Sequence, residues 1–157
     1  MNTAPTKIIA APMLLALNRC AHICLERQHG CTHAAADVSD RGLKQLLGDF
    51  AEERGVEAQA LLSMADPLGG AFLPQIPMRR WLGPGARTDR RVLDHCIRGD
   101  EISLVEFKLI FAWAPLAAMP MEVRALMLSA YGATLRLLSE LRRRLEPASL
   151  SLDLAAR

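Results

Sequence analysis

The stretch Asn18-Arg19-Cys20-Ala21-His22-Ile23-Cys24-Leu25-Glu26-Arg27-Gln28-His29-Gly30-Cys31-Thr32-His33-Ala34-Ala35-Ala36-Asp37-Val38 holds three of the chain's four cysteines and three of its four histidines. Wound at about 100° per residue, Cys20, Cys24 and Cys31 fall within roughly 40° of one another, while His22, Glu26, His29 and His33 gather on the opposite side. Leu17 and Ala35 extend the cysteine stripe at helical spacing. That stripe is therefore the face expected to turn toward a core, and the histidine stripe the polar face expected at the surface. Glu26-Arg27-Gln28-His29 has the Glu-x-x-His spacing of metal-binding helices, because side chains at i and i+3 meet, but it lies on the polar face. Three imidazoles there leave a subunit contact or a surface metal site open as alternatives to a solvated face.

Outward from this stretch the chain reads as helices. Its 157 residues suffice for one domain that needs neither disulfide nor metal to hold a core. Half of them are apolar, led by Leu and Ala, with few aromatic residues, which favours helix over strand. The sequence predicts helix 1 over about 12–38, with Pro12 in its first turn, and helix 2 over about 42–65 after a capping residue in Ser39-Asp40-Arg41-Gly42. From Asp66 to Gly85 eight prolines and glycines punctuate Phe72, Leu73, Ile76, Met78 and Trp81. This is a long connection with apolar content, and Phe72, Ile76 and Trp81 are its candidate interaction surface. Helix 3 follows from the Thr88-Asp89 cap to about Trp113, and helix 4 runs from Met121 to about Leu145, stopped by Pro147. Residues 1–11 are expected as a loose arm, 12–147 as a single bundle domain and 148–157 as a flexible tail.

A net charge of +2 gives no general field for nucleic acid or an anionic membrane, although sixteen of the nineteen basic residues are Arg. No nucleic-acid or membrane partner is expected, and no apolar run has the length to span a bilayer. Four cysteines without a C-x-x-C pair suit buried thiols in a reducing compartment, hence a cytoplasmic location. No P-loop, Rossmann fingerprint or Gly-x-Ser-x-Gly elbow is present, so catalysis has no motif to rest on.

Several short motifs carry a resemblance. Leu17-Asn18 precedes Cys24 to Gly30; Ala34-Ala35-Ala36-Asp37-Val38 closes helix 1; Glu53-Arg54 follows Leu46 to Ala51; Arg80-Trp81 stands in the link; Arg98-Gly99-Asp100-Glu101 precedes Phe107; and Pro120-x-x-Val123-Arg124 opens helix 4. With them the chain resembles the ferritin-like four-helix bundles, and more narrowly a bacterial ferritin-like family whose domain has no assigned function. The resemblance implies an all-α antiparallel bundle with a long crossover link between helices 2 and 3. It also implies a central dinuclear site, built from one Glu on each of two helices and Glu-x-x-His on the other two. By that comparison Gln28 stands at the first-helix acid, Glu53 at the second and Asp100 at the third, while Tyr131–Leu141 of the fourth offers no His.

Glu53 and Glu57 also interrupt the apolar stripe of helix 2 on their own spacing, and inward carboxylates ask for a partner. The expected metal candidates are therefore Glu53, Glu57, Asp100 and Gln28, with iron or manganese as the possible ions. Two functional readings follow: a bundle with a degenerate metal site and a binding, structural or stress-associated role, or a metal-binding bundle with residual redox or storage activity. Self-association or another protein partner is compatible with both.

Overall fold

The computed structural model describes residues 4–70 and 88–146, which form four long helices and no strand. They are α1 (Ala4–Asp37), α2 (Arg41–Ala65), α3 (Asp89–Trp113) and α4 (Met121–Leu145), with short 3-10 turns at Asp66–Leu68 and Leu116–Ala118. Phe72, Ile76 and Trp81 of the proposed interaction surface, most of the link and the tail 148–157 lie outside the described residues.

The helix starts follow local chemistry. Asp40 caps α2 by accepting the Leu43 N–H at 2.6 Å, and the Thr88 hydroxyl accepts the Arg91 N–H at 3.4 Å at the start of α3. The start of α1 differs from the sequence reading. The helix begins at Ala4 and runs through Pro12 rather than opening there, so the described part of the expected 1–11 arm is helical from Ala4. A proline inside a helix removes one N–H donor and crowds one upstream carbonyl. Ala10 and Ala11 before it and Met13 to Leu17 after it are strong helix formers and carry the helix across that defect.

Contacts at one end of the molecule fix the topology. The Asp89 carboxylate accepts the backbone N–H groups of Ser39 and Asp40 at 2.8 and 2.9 Å, and Arg144 lies 3.8 Å from Asp40. The end of α1, the starts of α2 and α3 and the end of α4 therefore share that end. Neighbouring pairs are α1/α2, α1/α3, α2/α4 and α3/α4, all antiparallel, which opposes their dipoles favourably. The diagonal pair α2/α3 runs parallel, and because a 25-residue helix spans about 37 Å, its connection has to return the length of the bundle. This is the long crossover the sequence predicts.

Two apolar clusters fill the interior. One gathers Val38, Leu43, Leu47, Val92, Leu137 and Leu141 at the shared end, and the other gathers Leu17, Leu61, Phe107, Ile110 and Met127 at the opposite end. Between them lies a layer of buried charge.

Candidate functional site

The layer is built by two arginines that the sequence analysis does not single out as site residues. Arg27 of α1 reaches across to α3, where its Nε donates to Asp100 Oδ1 at 2.7 Å and its Nη2 to the Cys96 carbonyl at 3.4 Å and Cys31 Sγ at 3.6 Å. Arg54 of α2 is fully buried. Its Nη1 pairs with Glu57 Oε2 at 2.5 Å and donates to the Ala130 carbonyl of α4 at 2.9 Å, and the guanidinium stands over the Phe50 ring, 4.7 Å from its centroid. The first pair thus ties α1 to α3; the second lies within α2, three residues apart, and is tied to α4 by the bond from Arg54 to the Ala130 carbonyl. Such charge-assisted contacts are strong only because both partners are removed from water together.

Both arginines occupy core positions of their helices. Arg27 lies seven residues from Cys20 and from Ala34, and Arg54 seven from Leu47 and from Leu61, all buried. Seven residues are nearly two full turns, so these positions share a face. The seven-residue spacing is a signal the sequence carries, although arginine faces solvent by default.

Glycine makes room for the crossing. A Cβ at Gly99 would collide with Arg27 Nη1 and meet its Cζ at 3.0 Å, and one at Gly55 would meet Gln28 Nε2 at 2.5 Å. Gly99→Ala is therefore expected to lower stability by about 1–3 kcal/mol through overpacking, although alanine is the better helix former. Gly48→Ala, with open space around its Cβ, is the control and should stabilise. Urea unfolding of the two variants checks the contrast.

Each expected metal ligand now has a place. Glu57 is buried and bound to Arg54, with the Ser129 hydroxyl donating at 3.5 Å. Asp100 is fully buried and bound to Arg27. Glu53 is 47% exposed, with Arg136 at 3.4 Å and Arg54 at 3.5 Å. Gln28 is half-buried against Gly55. Among the described residues no three His, Cys, Asp or Glu side chains come together as a metal-binding group. The donor set thus does not fit the dinuclear centre that the resemblance implies: each buried carboxylate faces a guanidinium, and α4 contributes a carbonyl and hydroxyls in place of a Glu-x-x-His.

Burial pushes the Asp100 carboxyl up to about 6 against the opposing pull of Arg27, and raises Glu57 against the pull of Arg54. Burial alone disfavours the Arg27 cation, but Asp100 and the nearby thiols hold it firmly protonated, above its usual value. A carbon-detected titration of Asp100 should find its midpoint near about 6, and Arg27→Gln should move it higher. An acid with a folded pKa above its unfolded value, about 3.9, adds stability that is complete below about pH 4 and is lost as pH rises through the folded midpoint.

The cysteine stripe of helix 1 faces inward, and Cys20, Cys24, Cys31 and Cys96 are all buried free thiols. Burial drives Cys96 up to about 11 and Cys24 to about 12, and raises Cys20 and Cys31 as well. They are packing groups, not nucleophiles. The histidine stripe is divided: His33 is exposed and His29 half-buried, their rings edge to face at 4.3 Å, while His22 and Glu26 close on each other at 3.9 Å with side chains only 14% and 11% exposed.

No known protein family and no curated protein matches the sequence. Among solved structures, the chain is similar to one described as a ferritin-like, diiron-carboxylate protein from Bacillus anthracis str. Ames, at 19% identity and a TM-score of 0.64, over 93% of this chain and 100% of that one. That likeness, the antiparallel arrangement and the crossover together give the chain the ferritin-like four-helix bundle fold.

Proposed function

We propose that this protein is a ferritin-like bundle in which arginine–carboxylate pairs have taken the place of a metal centre, and that it serves a binding or structural role rather than redox catalysis. The observation that carries the reading is the burial of Arg27 and Arg54 beside Asp100 and Glu57. A dinuclear cluster supplies positive charge to carboxylates inside a bundle, and two guanidiniums supply it here, Arg27 across to α3 and Arg54 within α2, without leaving an open coordination position. Arginine cannot surrender its proton at physiological pH, so the carboxylates stay engaged and are poor ligands for an incoming ion. Four unbridged thiols fit a reducing, cytoplasmic setting. No helix among the described residues is long and apolar enough to cross a membrane.

Metal analysis of protein purified without an affinity tag tests this reading. Iron and manganese are expected only in traces, unchanged in Glu53→Ala. Stoichiometric iron or manganese that disappears in Glu53→Ala would establish the rival reading, a metal-binding bundle with residual redox or storage activity.

A further inference from the structure

The outer face of α4 carries a pattern that its own fold does not use. Met121, Ala125, Leu128, Gly132, Leu135 and Ser139 follow one another at alternating spacings of four and three, so they lie along a single stripe. Met121, Leu128 and Leu135 are 70%, 52% and 42% exposed, and no charged residue interrupts the stripe. Large and small side chains alternate strictly along it.

Read in the opposite direction, the pattern is its own complement. When a second α4 is laid antiparallel about a twofold axis between Leu128 and Gly132, Leu128 of each copy meets Gly132 of the other. Leu135 then meets Ala125 and Met121 meets Ser139. Every level pairs a knob with a hole, the packing that lets two helices approach closely, and a twofold interface needs this self-complementarity.

Gly132 points the same way. Glycine weakens a helix interior relative to alanine, and nothing in the monomer asks for it, since a Cβ there would only touch Arg136 Nη1 at an ordinary 3.7 Å. A second helix passing at that level would ask for it.

The neighbouring helix widens the surface. On α3, Ile102, Val105, Leu109 and Trp113 are 44%, 57%, 60% and 42% exposed, and their register beside α4 is fixed by Arg142 on Glu101 and by Tyr131 on Phe107 and Phe111. Side chains of this size carry on the order of 100 Å² of apolar surface each, so seven at about half exposure leave roughly 350 Å² open. Shared between the two helices, that area is of the order of the apolar share of an interface burying about 800 Å² per partner.

We propose that the chain forms a twofold dimer through antiparallel pairing of α4, flanked by α3, with Leu128 and Gly132 at its centre. This stands apart from the metal reading, because oligomeric state and metal content are separate readouts. Sedimentation equilibrium under reducing conditions should give twice the 17.2 kDa monomer mass for the wild type. Gly132→Leu, which places leucine against leucine twice per dimer, should raise the dissociation constant by more than about tenfold, while helix content does not fall. Leu128→Ala alone should also weaken the dimer, and Leu128→Ala combined with Gly132→Leu should restore it by exchanging knob and hole. A wild type that stays monomeric, a Gly132→Leu variant that dimerises like wild type, or a folded double variant that stays monomeric would each overturn the proposal.

Discussion

Asp100→Ala is expected to cost about 3–5 kcal/mol of unfolding free energy, more than any other single change in the polar layer. The replacement leaves Arg27, itself nearly buried, with a charge it cannot discard. Its remaining polar contacts are the Cys96 carbonyl and the Cys31 sulfur, neither of which neutralises it. At about 2–4 °C per kcal/mol for a chain of this size, the thermal midpoint should fall by roughly 10 °C. Arg27→Met should cost less, because the carboxyl it strands can take up a proton, and burial has already raised the Asp100 pKa to about 6. Removing both partners, as Arg27→Met with Asp100→Leu, should return stability to within about 1 kcal/mol of wild type. Chemical denaturation of these proteins together with Asp100→Leu, the second single-variant corner, closes the cycle. Equal losses for the two single variants would show that the stranded guanidinium finds water or another anion.

The sequence yields the fold and the face of its first helix for the same reason. Apolar periodicity, the Asp40 and Thr88 caps and the proline-rich break after Ala65 are local signals, and local chemistry suffices to place the ends of α2, α3 and α4 within a residue or so. Pro12 misleads because a proline is read as a start when the helix absorbs it as a defect. The site is harder to read because its chemistry depends on pairing between helices that are distant in sequence: Arg27 lies 73 residues from Asp100, and Arg54 lies 76 from Ala130. A heptad position occupied by arginine gives a pattern and a composition that contradict each other. For Arg27 only a partner on another helix decides between them. Glu57 and Asp100 were legible as inward acids, but what they hold was not, since the same two carboxylates suit a metal ion or a guanidinium. Gly99 stands in the sequence only as a glycine inside helix 3, and its purpose becomes evident once Arg27 is seen crossing over it.

Arg54→Met should destabilise the protein by about 3 kcal/mol near pH 8, and by clearly less near pH 5. Methionine keeps the volume and the contact with Phe50, so the loss isolates the charge and its bonds to Glu57 and the Ala130 carbonyl. Glu57 is already raised by burial, with Arg54 as the main force holding it down. Without that cation its folded pKa climbs further above the unfolded value of about 4.3. An acid shifted in this direction contributes stability that is present below its unfolded pKa and is lost as pH rises through its folded pKa. The variant therefore tolerates mild acid, where Glu57 is protonated, and suffers at alkaline pH, where a carboxylate must be buried without a partner. Adding Glu57→Gln should remove most of the pH dependence, because the amide keeps the shape and has no charge to strand. Urea unfolding of wild type, Arg54→Met and Arg54→Met/Glu57→Gln at several pH values measures both effects. A destabilisation that does not change with pH would instead assign the role of Arg54 to its bond with the Ala130 carbonyl and its packing on Phe50.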